Sequence, residues 1–300
     1  MTGTIGKSLV DYLRMIKFSH TVFALPFAGI AFLLALPGSE AWNGGSPGGA
    51  FYLLLGQIII CMASLRSAAM GFNRLADREI DAANPRTAVR EIPRGVISPG
   101  NARLFIIISS LIFIATAFWI NTLCGMLSPV AIALALGYSY SKRFTMFCHY
   151  ILGLAIGIAP LAAWLAVRGT AEPLPLLWSG GLMMYIAGFD ILYSCQDAAF
   201  DKEQGLHSLP ARLGVKPAIY ISRLTHLAAV GFFLWAGIEG KSGPVFWGAL
   251  GIVALLFLTE HVLVRPGRLE KIPAVFFNVN AAISMVLFLG LLLDVVLRGA

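Results

Sequence analysis

Asn73, Asp77 and Asp81 stand four residues apart in a chain otherwise poor in charge. If the apolar segment ahead of them continues as a helix, their side chains stack at i, i+4 and i+8 on one face. Like charges at that spacing repel, and a cation held between them would reverse the repulsion. Their oxygens are hard ligands suited to Mg²⁺, which takes one or two carboxylates together with substrate phosphates. A second set follows in Asp190, Tyr193, Asp197 and Asp201, with Asp197 and Asp201 offset by 120 residues from Asp77 and Asp81. Asp190 falls inside an apolar segment, where a charge costs about 2.5–3.5 kcal/mol on insertion scales and should face a cavity or a partner. One such set alone reads equally well as a solvated helix end. Two sets with matched spacing point instead to a divalent-metal site with Asn73, Asp77, Asp81, Asp197 and Asp201 as ligands.

Basic side chains lie beside the acids. Arg86 and Arg90 follow the first set, Lys202 adjoins Asp201, and Lys142-Arg143 stand behind Tyr138 and Tyr140. Acidic metal ligands flanked by cations match the needs of a diphosphate, whose remaining charge Arg and Lys neutralise. Arg103 and Arg223 read as plain interfacial charge. Arg66 lies seven residues ahead of Asn73, about two turns deeper on the same face. Snorkelling would be a long reach from there, so Arg66 is expected to face inward, toward Asp190 or a carboxylate on a small acceptor.

The elements that must position these residues are membrane helices. The chain is 58% hydrophobic and 12% charged, with mean hydropathy +0.81. Nine apolar segments read as an all-α, polytopic membrane protein: 18–37, 50–72, 102–120, 123–140, 149–168, 175–195, 217–238, 244–263 and 274–297. Pro and Gly pairs such as Pro37-Gly38, Pro99-Gly100 and Pro266-Gly267 punctuate the breaks. The N-terminus and the loops after segments 2, 4, 6 and 8 hold 18 of the 22 Lys and Arg residues, against Arg168, Lys241 and Arg298 on the other side. By the positive-inside rule, the N-terminus and the long loops at about 73–101 and 196–216 are cytoplasmic. The 120-residue offset suggests a four-helix internal repeat within a single membrane-embedded domain spanning 1–300. The net charge of +7 is thus accounted for by topology and does not imply nucleic acid. The four cysteines form no metal-ligand spacing and read as packing residues.

Together these residues resemble the UbiA-type membrane prenyltransferases. The first family motif, NDxxDxxxD, is similar to Asn73, Asp77 and Asp81, and its continuation to Arg86-Thr87, Arg90, Pro93 and Gly95. The second, DxxYxxxDxxxD, is similar to Asp190, Tyr193, Asp197 and Asp201, and Lys142-Arg143 and Arg66 also match. The nearest branch is that of 4-hydroxybenzoate and menaquinone-pathway polyprenyltransferases. The resemblance implies nine helices around a central cavity, Mg²⁺, a polyprenyl diphosphate donor and an aromatic acid acceptor, with the prenyl tail reaching membrane lipid. It also implies a bacterial inner-membrane location. It casts Asp77, Asp81, Asp197 and Asp201 as metal-holding catalytic groups, with Arg86, Arg90, Lys142, Arg143 and Lys202 on the diphosphate. Arg66 would hold the acceptor carboxylate, while Asp190 and Tyr193 shape the ring site. The chain departs from the motif at Arg74, where the family often has an Asp, and in the Lys17-Phe-Ser-His20-Thr segment ahead of the first span. A hydroxynaphthoate acceptor is an alternative.

Two other classes were weighed against this. A transporter would gather its charges at the membrane midplane, whereas these acids sit mostly at span ends. A phosphatidyltransferase would carry a DG pair and an AR pair ahead of its later Asp residues, a pattern absent here.

Overall fold

Long apolar runs leave the backbone no partner in lipid except itself, so each folds into a helix. The structure, a computed structural model, describes residues 10–17, 24–43, 46–266, 269 and 272–298. A short helix α1 covers residues 10–15. It is followed by α2 (Leu25–Ala35), α3 (Gly49–Ala76), α4 (Arg78–Ala83), α5 (Pro99–Ile120) and α6 (Thr122–Ser141). Then come α7 (Cys148–Gly157), α8 (Ala159–Arg168), α9 (Pro173–Ser194), α10 (Ala198–Glu203) and α11 (Leu209–Leu213). The chain closes with α12 (Val215–Glu239), α13 (Pro244–Leu263) and α14 (Ile272–Arg298). A two-residue antiparallel pair, Trp42–Asn43 with Ser46–Pro47, is the only strand pairing among the described residues.

Eight stretches among the described residues are long and apolar enough to cross a membrane. They correspond to eight of the nine expected segments. The first, 18–37, is represented by the 11-residue α2, and residues 18–23 lie outside the described residues. The segment at 149–168 differs from expectation because it is two helices. Pro160 has no N–H and its ring crowds the carbonyl four residues back, so the helix breaks at Ile158 and restarts as α8.

Element order follows the 120-residue offset: α4 starts at Arg78 and α10 at Ala198. The residue ahead of each is an aspartate in the same bridge conformation, with φ −94° and ψ 8° at Asp77 and φ −101° and ψ 6° at Asp197. The helix carrying the first acids is therefore kinked at Asp77, though its hydrogen bonds carry through, Asp77 N to Asn73 O at 3.0 Å and Asp81 N to Asp77 O at 2.7 Å.

Helix α9 is the scaffold, with twelve buried residues against seven in the longer α3 and five in α6. One side packs on α12 and α14 through Trp178, Leu182, Tyr185 and Phe233, joined by Phe27 of α2 and Phe246 of α13. Buried polar contacts fix the register of these helices. Tyr185 Oη donates to Asn280 O (2.8 Å), the ring nitrogens of His226 and His261 lie 3.0 Å apart, and Asn280 Nδ2 donates to Glu260 Oε1 (3.4 Å). Such bonds have few competitors inside a low-dielectric core. The other side of α9 faces a cavity.

Candidate active site

The cavity measures about 810 Å³, and its described walls come from α2 to α10 and the connecting loops, up to Ser208. None of the described residues of α12, α13 and α14 lines it. Its deep wall is apolar, and α7 and α8 contribute Ala155, Ala159, Ala162, Ala163 and Ala166. Its mouth carries the charges. Asp77 and Asp81 are 2% and 4% exposed, which excludes solvated helix ends.

Each acid is held by a named partner. Lys142 Nζ lies 3.1 Å from Asp77 Oδ2, and Arg143 Nη2 lies 3.1 Å from Asp77 Oδ1. Asn73 Nδ2 donates to Asp77 Oδ2 at 3.3 Å. Arg90 Nη1 reaches both oxygens of Asp81, at 2.6 and 2.7 Å. Arg86, from the loop that follows the first set, holds the second: its Nε donates to Asp197 Oδ1 at 2.9 Å, its Nη2 to Asp197 Oδ2, and its Nη1 to Tyr193 Oη at 3.0 Å. Asn84 Nδ2 also donates to Asp197 Oδ1, at 3.3 Å. Burial alone lowers the Arg86 pKa, but the hydrogen bond to Asp197 and the neighbouring Tyr193 raise it above the usual arginine value, so this guanidinium stays charged.

Asp201 is fixed by a turn. Gly205, at φ +67°, lets the chain fold back so that Leu206 N donates to Asp201 O at 2.8 Å. That left-handed conformation suits glycine. It delivers Ser208, whose Oγ donates to Asp201 Oδ2 at 2.7 Å. His207 N donates to Lys142 O at 2.7 Å and ties the second acidic loop to the end of α6.

The structure thus brings Asn73, Asp77, Asp81, Asp190, Tyr193, Asp197 and Asp201 to one cavity, with Arg66, Arg86, Arg90 and Lys142. Three expectations need correction. Lys202 is exposed and lies off the cavity wall: a residue next to Asp201 on a helix does not share its face. Arg143 lines a separate groove and approaches Asp77 from outside the cavity. Arg66 lines the cavity but does not pair with Asp190. Its Nη2 donates to Lys17 O at 3.2 Å, its buried Nε has no hydrogen-bond partner, and Asp190 is held by His149. The carboxylates are arranged as ion pairs, and among the described residues no three His, Cys, Asp or Glu side chains gather closely enough to hold a metal.

Sequence reasoning missed four contributors. Asn84 and Ser208 are short polar residues in loops, and His149 acts on acids 41 or more residues away. Arg74, noted only as a motif departure, is buried on the cavity wall and donates through Nε to Met15 O at 3.4 Å. Arg74 gave no signal of its own, because the apolar segment reads as ending at residue 72, whereas the helix runs on to Ala76.

Fold and site define an integral membrane protein with a charged mouth over an oily chamber. A family model described as the UbiA prenyltransferase family matches residues 24–285. The 4-hydroxybenzoate octaprenyltransferase of Edwardsiella ictaluri is 32% identical over 301 residues, covering 98% of this chain and 99% of that protein. A UbiA homolog from Aeropyrum pernix, solved in the apo state, superposes with a TM-score of 0.79 at 30% identity, over 92% of this chain and 98% of that one. A UbiA homolog from Archaeoglobus fulgidus bound to GPP and Mg²⁺ shares the fold with a TM-score of 0.64 at 18% identity, over 92% and 99% of the two chains. The chain belongs to the UbiA prenyltransferase family and is a membrane prenyltransferase.

Proposed function

We propose that the protein transfers a polyprenyl group from its diphosphate to an aromatic carboxylic acid of the 4-hydroxybenzoate type, with Mg²⁺, in quinone synthesis. The whole chain acts as one membrane-embedded domain, with the charged mouth on the cytoplasmic face of a bacterial inner membrane. The observation that carries this reading is the convergence of both acidic sets, linked by Arg86, at the mouth of one cavity whose depth is apolar. The excess of Lys and Arg on that side of the bundle supports the orientation.

The donor set fits a hard divalent ion. Asp77, Asp81, Asp197 and Asp201 supply carboxylates and Asn73 an amide oxygen, all on the cavity wall. These five would hold Mg²⁺, which when bound supplies charge stabilisation for a departing diphosphate. Arg86, Arg90 and Lys142 now neutralise those same carboxylates. In the loaded site they turn to phosphate oxygens, with Arg able to offer two parallel donors. The carbon–oxygen bond of the donor breaks with its electron pair leaving on the diphosphate. The new carbon–carbon bond forms from the acceptor ring carbon ortho to the hydroxyl, and that carbon then loses its proton. Arg66, which lines the cavity and has a buried Nε without a hydrogen-bond partner, binds the acceptor carboxylate. Asp190 and Tyr193 border the ring. The alanine-lined depth takes the tail and keeps water from the allylic cation.

The test is an assay in membranes with labelled polyprenyl diphosphate, Mg²⁺ and a panel of aromatic acids. Asp77→Ala and Asp201→Ala should each lower transfer by about a hundredfold or more, with membrane insertion unchanged. Full activity in either variant overturns the assignment.

A further inference from the structure

Behind Asp77, outside the cavity, lies a groove of about 370 Å³ between the end of α3, the start of α4, the first turns of α5 and the end of α6. Its walls carry three guanidinium groups, Arg78, Arg103 and Arg143, against one carboxylate, Glu79. Glu79 is engaged by Arg78 at 2.7 Å, and both side chains are solvent-accessible. A local excess of positive charge therefore remains. Phe72 and Tyr140 form the floor, edge to face with ring centroids 5.6 Å apart, and Arg143 stacks over the Tyr140 ring at 4.9 Å. A pocket built from aromatic rings and guanidinium groups at the end of membrane helices has the chemistry of an interfacial headgroup site.

Two further observations narrow the ligand. From Arg103 onward α5 presents an outward apolar stripe, where Leu104, Ile107 and Leu111 are 57%, 56% and 58% exposed. A soluble anion has no use for that stripe, whereas acyl chains do. Arg143 is also shared. Its Nη2 reaches Ala76 O at 2.7 Å and Asp77 Oδ1 at 3.1 Å, while Lys142 holds the other oxygen of Asp77 from the cavity side. An anion in the groove therefore competes with Asp77 for Arg143.

We propose that this groove binds the phosphate of an anionic phospholipid, with the acyl chains along the exposed stripe of α5, and that its occupancy bears on Asp77 through Arg143. The binding half of this inference stands apart from the enzymatic reading, and the test measures binding alone. Full-length protein in detergent is titrated with phosphatidylglycerol and with phosphatidylcholine, and retained lipid is counted by native mass spectrometry. The wild type should retain phosphatidylglycerol preferentially. Arg78→Gln/Arg103→Gln should weaken that preference by about thirtyfold, given the usual worth of two basic residues near an anionic headgroup. Arg94→Gln/Arg212→Gln, exposed changes of equal charge outside the groove, should leave it intact. Arg103→Gln alone serves if the double variant fails to fold, with an expected loss of about fivefold. The proposal is overturned if the control loses as much as the groove variant, since binding would then be diffuse charge. It is equally overturned if the groove variants retain lipid as the wild type does, or if soluble glycerol phosphate displaces the lipid at equal concentration.

Discussion

His149 joins the two ends of the site. Its Nδ1 lies 2.7 Å from Asp190 Oδ2, and its Nε2 accepts from the backbone N–H of Leu209 at 3.2 Å. With Nε2 accepting that N–H, Nδ1 is the nitrogen that donates to Asp190. Leu209 follows Ser208, the donor to Asp201. The chain Asp190–His149–Leu209 thus ties the Asp190 carboxylate to the loop that carries Ser208 and Asp201. Glutamine can reproduce one donor and one acceptor, and leucine neither. His149→Gln should keep most activity, while His149→Leu should lower kcat/KM for the acceptor by about tenfold to a hundredfold, the usual loss for a hydrogen bond to a charged group. Steady-state kinetics with varied acceptor would check this, and equal kinetics in the two variants would remove His149 from the positioning of Asp190.

Contact between helices α7 and α9 makes that link possible. Gly153 and Gly157 sit one turn apart in the small-xxx-small pattern that lets membrane helices approach closely. A Cβ built at Gly153 would fall 2.4 Å from Met183 O, and one at Gly157 would fall 3.0 Å from Ser179 O. Both obstacles are backbone, so the helices would have to part. Gly153→Val should destabilise the bundle by about 1–3 kcal/mol, read as a lower temperature of unfolding in detergent, and should weaken acceptor binding as His149→Leu does. None of this was legible in the sequence. The acids were, because charged residues at i, i+4 in an apolar chain have few structural reasons to exist. Arg86 and Arg90 were legible by their nearness to Asp81. Lys202 misled for the same reason, since adjacency along a helix turns a side chain by about 100°. The partner of Arg66 was not legible because Asp190 is taken by a buried His149 on a different helix, and Arg66 donates instead to the backbone of Lys17.

At the scale of the whole molecule, eight of the nine expected spans and their order followed from hydropathy, while the break at Ile158 turned on a single Pro160 whose effect depends on local context. Charge asymmetry also had a structural counterpart. Two of the three basic side chains expected on the far side are engaged there: Arg168 with Pro37 O, and Arg298 with Lys241 O at 2.5 Å and Asp294 at 3.1 Å. In a cysteine-free background, Lys202→Cys and Lys241→Cys should react with a membrane-impermeant thiol reagent from opposite sides of sealed vesicles. Labelling of both from one side would overturn the topology. The row of alanines that α7 and α8 turn toward the chamber has a consequence of its own. At those five positions the wall offers only methyl groups, so a bulky ring placed there would shorten the space open to a guest. Ala159→Phe should act as a stop, lowering turnover of a long donor by about tenfold or more while a short donor still reacts. Length preference and bond-making chemistry then reside on different helices, and a lineage can retune one without disturbing the other.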